Sequence, residues 1–249
     1  MTLTGWLLLA ATAPEARAAF LSEEGAAREA ERVFRQMKAR IPISRDVRAQ
    51  DYVTCVAGAI VAQLPEPYRN LDWEVVLFEH PAANAFAMPG GKIGVYTGIF
   101  RVADNQHSLA AVLGHEVAHV TSQHALKRAR RQVRNRLLVA AAAGAIGGRG
   151  TASALSLGAE IGLSLPYDRK QERQADTAGL ELMADAGFDP RASIRLWKNM
   201  MRQNQSSPPE FLSTHPSGDD RIGGLISHLA SSLALFNEAA GEGRVPQCE

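Results

Sequence analysis

The stretch Leu109-Ala110-Ala111-Val112-Leu113-Gly114-His115-Glu116-Val117-Ala118-His119-Val120 decides how the rest of the chain is read. Apart from His115, Glu116 and His119 it is apolar throughout, so as a helix it has no solvent-facing side and is buried. A buried helix rarely carries two histidines and a glutamate without a structural or chemical reason, because unpaired polar groups are costly there. His115 and His119 are four apart and share one helix face, so both imidazoles can reach one tetrahedral metal ion. Glu116 lies beside them, where it can take a proton from a metal-activated water.

A metal centre that does chemistry needs a third protein ligand and an open position. The run Glu172-Arg173-Gln174-Ala175-Asp176 supplies a candidate on a later helix, whose start carries the capping-box pair Asp168 and Gln171. Glu172 and Asp176 are again four apart, so Glu172 can bind the metal while Asp176 accepts the free N–H of a ligand histidine. His80, His107, His124 and His228 compete as ligands and read mainly as structural. His124, five residues beyond His119, faces elsewhere on a continuous helix.

The 249 residues, 46% of them hydrophobic, suffice for one core. A formal net charge of +1 gives no basis for a nucleic-acid partner. With aromatics at only 6%, the abundant Ala and Gly favour packed helices over a β-sandwich. Pattern and caps predict helices over 26–40, 46–64, about 108–136, 167–186 and 189–203, and a last one after Arg221. Between them, residues 73–78 form a β-type run, and 84–88 and 92–96 read as short strands around Pro89-Gly90-Gly91. The expected class is α+β, mainly α, with a small sheet, in a single domain over 19–249.

Residues 5–13 form a short apolar run, followed by the small-residue pattern Ala16-Arg17-Ala18. This is the form of a secretory signal peptide over 1–18, although no Lys or Arg precedes the apolar run. A buried N-terminal helix is the competing reading. The two cysteines, Cys55 and Cys248, have no metal-type spacing. In an oxidising compartment they could pair and tie the C-terminal tail to the N-terminal helices; equally, they could be unrelated thiols.

Together, GHEVAHV at 114–120, QERQAD at 171–176, STHPSGDDRI at 213–222 and NAFAMPGGKIGVYTGIF at 84–100 resemble metallopeptidase family forty-eight. These are the HtpX-like gluzincins, and the likeness is to their periplasmic BepA/LoiP-like and Oma-related branch. The resemblance spans roughly residues 29–227. It implies one zinc ion held by His115, His119 and Glu172, with Glu116 as general base. It also implies proteolysis of misfolded or membrane-associated cell-envelope proteins, and a small sheet whose edge strand borders the active-site cleft. Asn84, Ala85, Phe86, Ala87 and Met88 are the candidate edge strand, since an extended substrate can be held by main-chain hydrogen bonds along a sheet edge. His215 or Arg221 could stabilise the oxyanion of peptide hydrolysis, or His215 could bind zinc in a resting state.

Lys127, Arg128, Arg130, Arg131, Arg134 and Arg136 form a basic run that fits either a solvated helix face or contact with anionic lipid. The apolar stretch after it is broken by Arg149 and Glu160, short of the roughly 20 residues a spanning helix needs. Residues 137–165 are therefore expected to form a lid or a bilayer-facing surface. Two functions compete: an envelope endopeptidase acting on unfolded or misfolded protein, with peripheral membrane contact, and a non-hydrolytic zinc-containing chaperone or binding module. Glu116 favours the first, because a purely structural site has no use for a general base.

Overall fold

A computed structural model describes residues 21–145, 166–204, 210–216 and 221–248. The expected signal peptide lies outside the described residues, as does 146–165 of the expected lid. Helix α1, Glu23–Arg40, begins earlier than the apolar pattern suggested because Ser22 caps it, its side chain accepting from the Gly25 N–H at 3.0 Å. Glu23 and Glu24 in the first turn and Lys38 and Arg40 in the last complement the helix dipole. Helix α2, Val47–Val61, is capped by Asp46, and from it Cys55 forms a disulfide with Cys248 in the C-terminal tail.

The sheet holds β1 (Glu74–Phe78), β2 (Ala85–Met88) and β3 (Lys92–Tyr96) in the order β1-β3-β2. Central β3 runs parallel to β1 and antiparallel to β2, and it is buried along its whole length. Trp73 falls outside β1; its indole N–H donates to the Tyr68 carbonyl instead. The β2–β3 turn uses Gly90 and Gly91 at φ of 80° and 83°, a region that side chains other than glycine's disfavour. β2 occupies one edge of the sheet.

The expected single helix over 108–136 is two helices. Helix α3, Gln106–Thr121, starts at the cap Asn105, and α4, His124–Ala145, follows a break at Ser122 and Gln123. Gln123 has a φ of 54°, and its side-chain amide donates to Glu23 and to the Tyr68 hydroxyl. These tertiary contacts outweigh helix continuity, which local pattern alone would have favoured. Three members of the basic run turn back to the protein on α4. Arg128 is buried with its guanidinium 4.1 Å from the Tyr167 ring centre, Arg130 donates to the Leu21 carbonyl, and Arg131 pairs with Asp168 at 2.8 Å. Among the described residues, no helix is long and apolar enough to cross a membrane.

Helix α5, Arg169–Asp185, carries the Asp168–Gln171 capping box and is ended by Gly187 at φ of 84°. Helix α6 (Arg191–Asn204), the short α7 (Glu210–Thr214) and α8 (Arg221–Gly241) complete the described chain. A close crossing of α3 and α5 sets the site. A Cβ on Gly114 of α3 would stand 2.7 Å from the Gly179 carbonyl oxygen, and a Cβ on Gly179 of α5 would stand 2.7 Å from the His115 amide nitrogen. Only glycine at both positions lets the two backbones meet, and this places Glu172 opposite His115 and His119.

Candidate metal centre

His115, Glu116 and His119 come from α3, Glu172 from α5, and His215 from the residue following α7; all five side chains are buried. The Nε2 atoms of His115 and His119 are 3.0 Å apart, and His215 Nδ1 lies 3.1 Å from His115 Nε2. Glu172 Oε1 closes the set at 3.2 Å from His215 Nδ1 and 3.5 Å from His119 Nε2. Zinc–nitrogen bonds near 2.0–2.1 Å in a tetrahedron put neighbouring ligand atoms about 3.3 Å apart. The donor set of two histidines, a glutamate and a third histidine fits such an ion in both spacing and chemistry. These four residues could hold a metal.

Each helix histidine is oriented from behind by a different kind of partner. His115 Nδ1 sits 3.0 Å from Asp176 Oδ1. Arg221 Nε donates to the same oxygen at 3.0 Å, and its Nη1 donates to Glu172 Oε2 at 2.9 Å. The Arg221 guanidinium stacks 3.6 Å from the Trp197 ring centre, behind Glu172 and Asp176. His119 Nδ1 instead meets His124 Nδ1 at 3.0 Å, and His124 Nε2 meets Gln174 Oε1 at 3.1 Å. One tautomer satisfies this chain: His119 Nδ1–H donates to His124, and His124 Nε2–H donates to Gln174. His124 therefore does not point elsewhere, because the break at Gln123 turns it back onto His119. Sequence reading missed it by assuming an unbroken helix.

Glu116 faces the edge strand. The Ala87 N–H donates to its Oε2 at 3.3 Å, while its Oε1 has no hydrogen bond, with His215 Nε2 at 3.3 Å. The Tyr96 N–H bonds the Asn84 carbonyl, and the register opposes Phe86 to Gly94 and Met88 to Lys92. In an antiparallel pair these alternate residues spend their main-chain groups on β3, so Ala85 and Ala87 direct theirs outward, toward Glu116. A small cleft there is lined by Ala85, Ala87, Glu116, Tyr167 and His215. Helix α7 covers its start: Asn84 Nδ2 donates to Glu210, and the Phe211 N–H donates to the Ala83 carbonyl. The structure thus brings Asn84 to Ala87 to the candidate metal residues but leaves Met88 in the core cluster of Phe34 and Phe78, whereas Arg221 stands behind the metal residues and does not line this cleft.

The family model described as Peptidase family M48 matches residues 47–228. The chain belongs to peptidase family M48. Among its relatives, the mitochondrial metalloendopeptidase OMA1 of Schizosaccharomyces pombe is 37% identical over 173 residues, covering 69% of this M48 chain and 50% of the relative. The beta-barrel assembly-enhancing protease of Yersinia pestis is 30% identical over 200 residues, 76% of this chain and 40% of the relative. That of Escherichia coli K12 is 27% identical over 199 residues. The chain spans about half or less of the length of these curated relatives.

Burial sets the charge balance in this M48 site. It raises the Glu116 carboxyl, an effect that nearby His215 and His115 only partly offset. Burial also works against ionised Glu172 and Asp176, but hydrogen bonds and charge from His215 or His115, and from Arg221, outweigh it and hold both below the usual carboxylate range. His119 is pushed well below its ordinary value by burial first and then by the electrostatics of the histidines and Arg221 around it. The imidazole is thus kept neutral, the form that can bind a metal. Tyr167, which sequence reading did not single out, lies against the His119 ring with centroids 3.8 Å apart, and its own hydroxyl is raised by burial.

Proposed function

We propose that this chain is a zinc-dependent metalloendopeptidase that cuts unfolded or misfolded proteins of the cell envelope. One observation carries the reading: a buried Glu116 stands between a fitted ligand set and an outward-facing strand edge. His115, His119 and Glu172 would hold the ion. Zinc there supplies a Lewis acid and lowers the pKa of water to about 7. Glu116, its carboxyl raised by burial, takes the proton of the attacking water and passes it to the leaving amine. Ala85 and Ala87 hold the substrate main chain in an extended form. Asp176 and His124 fix the ring orientations of His115 and His119, and Arg221 positions Glu172 and Asp176 rather than touching substrate.

His215 is best read as a resting-state ligand. With its Nδ1 in the set, four protein atoms surround the metal position, as in closed structural zinc sites, and catalysis needs one place open. Release of His215 would open that place and free its imidazole to serve the oxyanion. An envelope location is supported by the Cys55–Cys248 disulfide, which suits an oxidising compartment, and by the likeness to beta-barrel assembly-enhancing proteases. Peripheral membrane contact through exposed Lys127 and Arg134 belongs to the same proposal.

The test compares zinc-loaded wild type with Glu116→Gln on casein. Glu116→Gln should keep its zinc and lose about a hundredfold or more in rate, the scale of general-base catalysis. Equal cleavage by the two proteins would sink the peptidase reading and leave the non-hydrolytic binding module.

A further inference from the structure

A groove of about 470 Å³ begins where the metal residues end. His119 and Tyr167 form its inner end, and Ala87, Pro89 and Gly90 carry it past the C-terminal end of β2. Most of its lining is apolar, including Ala27 of α1, Leu71, Val120 of α3 and Leu126 of α4, while Glu23, Glu24 and Gln123 add polar groups. The volume falls in the range of sites that enclose small ligands or a few side chains. Tyr167 and Ala87 line both this groove and the cleft at Glu116, so the two spaces adjoin at those residues.

We infer that this groove is a specificity subsite that takes a large apolar side chain of the substrate, on the N-terminal side of the cut bond. The inference rests on the endopeptidase reading and adds what that reading lacks, a basis for choosing where to cut. Main-chain pairing to β2 is indifferent to side chains, so any preference has to come from a pocket beside the strand. Antiparallel addition is the commoner and slightly more stable pairing, and a peptide added so to β2 runs from the Gly90 end toward Asn84. The Ala87 N–H bonds Glu116, which places the reacting bond near Ala87. Residues that precede this bond therefore pass Pro89 and Gly90 and enter the groove. Side chains of an extended chain alternate between two sides, so the groove takes one residue in two. The occupant is apolar because most of the lining is, with Ala26 and Ala27 from α1 and Ala125 and Leu126 from α4.

Two digests test this. Zinc-loaded wild type cuts denatured casein, and all fragment ends are identified by mass spectrometry. Leu, Phe and Met should be enriched at one of the three positions before the cut. A peptide pair with Phe or Ala at that position is then given to wild type, to Ala27→Phe and to Leu126→Ala. Ala27→Phe narrows the groove from a half-buried place on α1 away from the metal residues. It should lower kcat/KM for the Phe peptide by about tenfold or more, mostly through KM, and change the Ala peptide by less than about twofold. Leu126→Ala widens the groove and should admit Trp. Enrichment only after the cut, no enrichment, or equal loss on both peptides overturns the subsite while leaving the peptidase intact. No cleavage by wild type or by His215→Ala overturns the endopeptidase reading and the subsite with it.

Discussion

Three of the four candidate ligands and the fourth are held in different ways. His115 and His119 stand in the C-terminal half of α3 and Glu172 near the start of α5, locked by the Gly114–Gly179 crossing and by buried partners behind them. His215 sits at the end of the short α7, tied to the body by the Phe211 N–H on Ala83, the Tyr167 N–H on Thr214 and a ring stack on Phe211. The first group cannot move without pulling two helices apart. The second can leave by lifting a short segment. On the proposed reading, a site built from both kinds of support is closed at rest and opens when a substrate strand reaches β2.

That contrast is broken most severely by Gly179→Val. A side chain there meets the His115 backbone, where the built Cβ already stands 2.7 Å from the amide nitrogen. The substitution should cost on the order of 3 kcal/mol in a denaturant melt and lower zinc content well below one per chain. Unchanged melting and zinc content would show that the crossing does not set the site.

A smaller effect separates the two histidine supports. Asp176→Ala removes a charged partner of His115 and leaves buried Arg221 short of one anion; it should weaken zinc by about a hundredfold in a chelator competition. His124→Ala removes a neutral partner of His119 and should weaken zinc by about tenfold. The reverse order would place the main support on the His119 side.

The mildest perturbation is pH. Burial holds His119 and His124 below their ordinary value in the folded protein. Groups depressed in this way contribute stability that is full above the unfolded value of about 6.5 and is lost as pH falls through the folded value. Metal-free protein should therefore lose melting temperature on going from pH 7.5 to 5.5, and His124→Ala should lose less. A flat profile for both would refute the linkage.

Much of this arrangement was legible in residue spacing. The i, i+4 pairs put His115 with His119 and Glu172 with Asp176 on common faces, and the Asp168–Gln171 box marks the start of α5. The β2–β3 hairpin was visible in its Pro-Gly-Gly turn. What spacing could not carry was any feature decided by distant contacts. Gln123 breaks the long helix because Glu23 and Tyr68, far away in sequence, bind its side chain. That break alone makes His124 a partner of His119. The glycine crossing, the short helix α7 and the position of Tyr167 against His119 are likewise properties of the packed chain. The groove beyond His119 needs α1 and α4 side by side, which no local pattern encodes.

The most direct measurement is zinc content and casein cleavage in His215→Ala beside wild type. Zinc should stay near one per chain, held by His115, His119 and Glu172, while cleavage rises. A fall in zinc together with lost cleavage would contradict this division and make His215 an indispensable ligand.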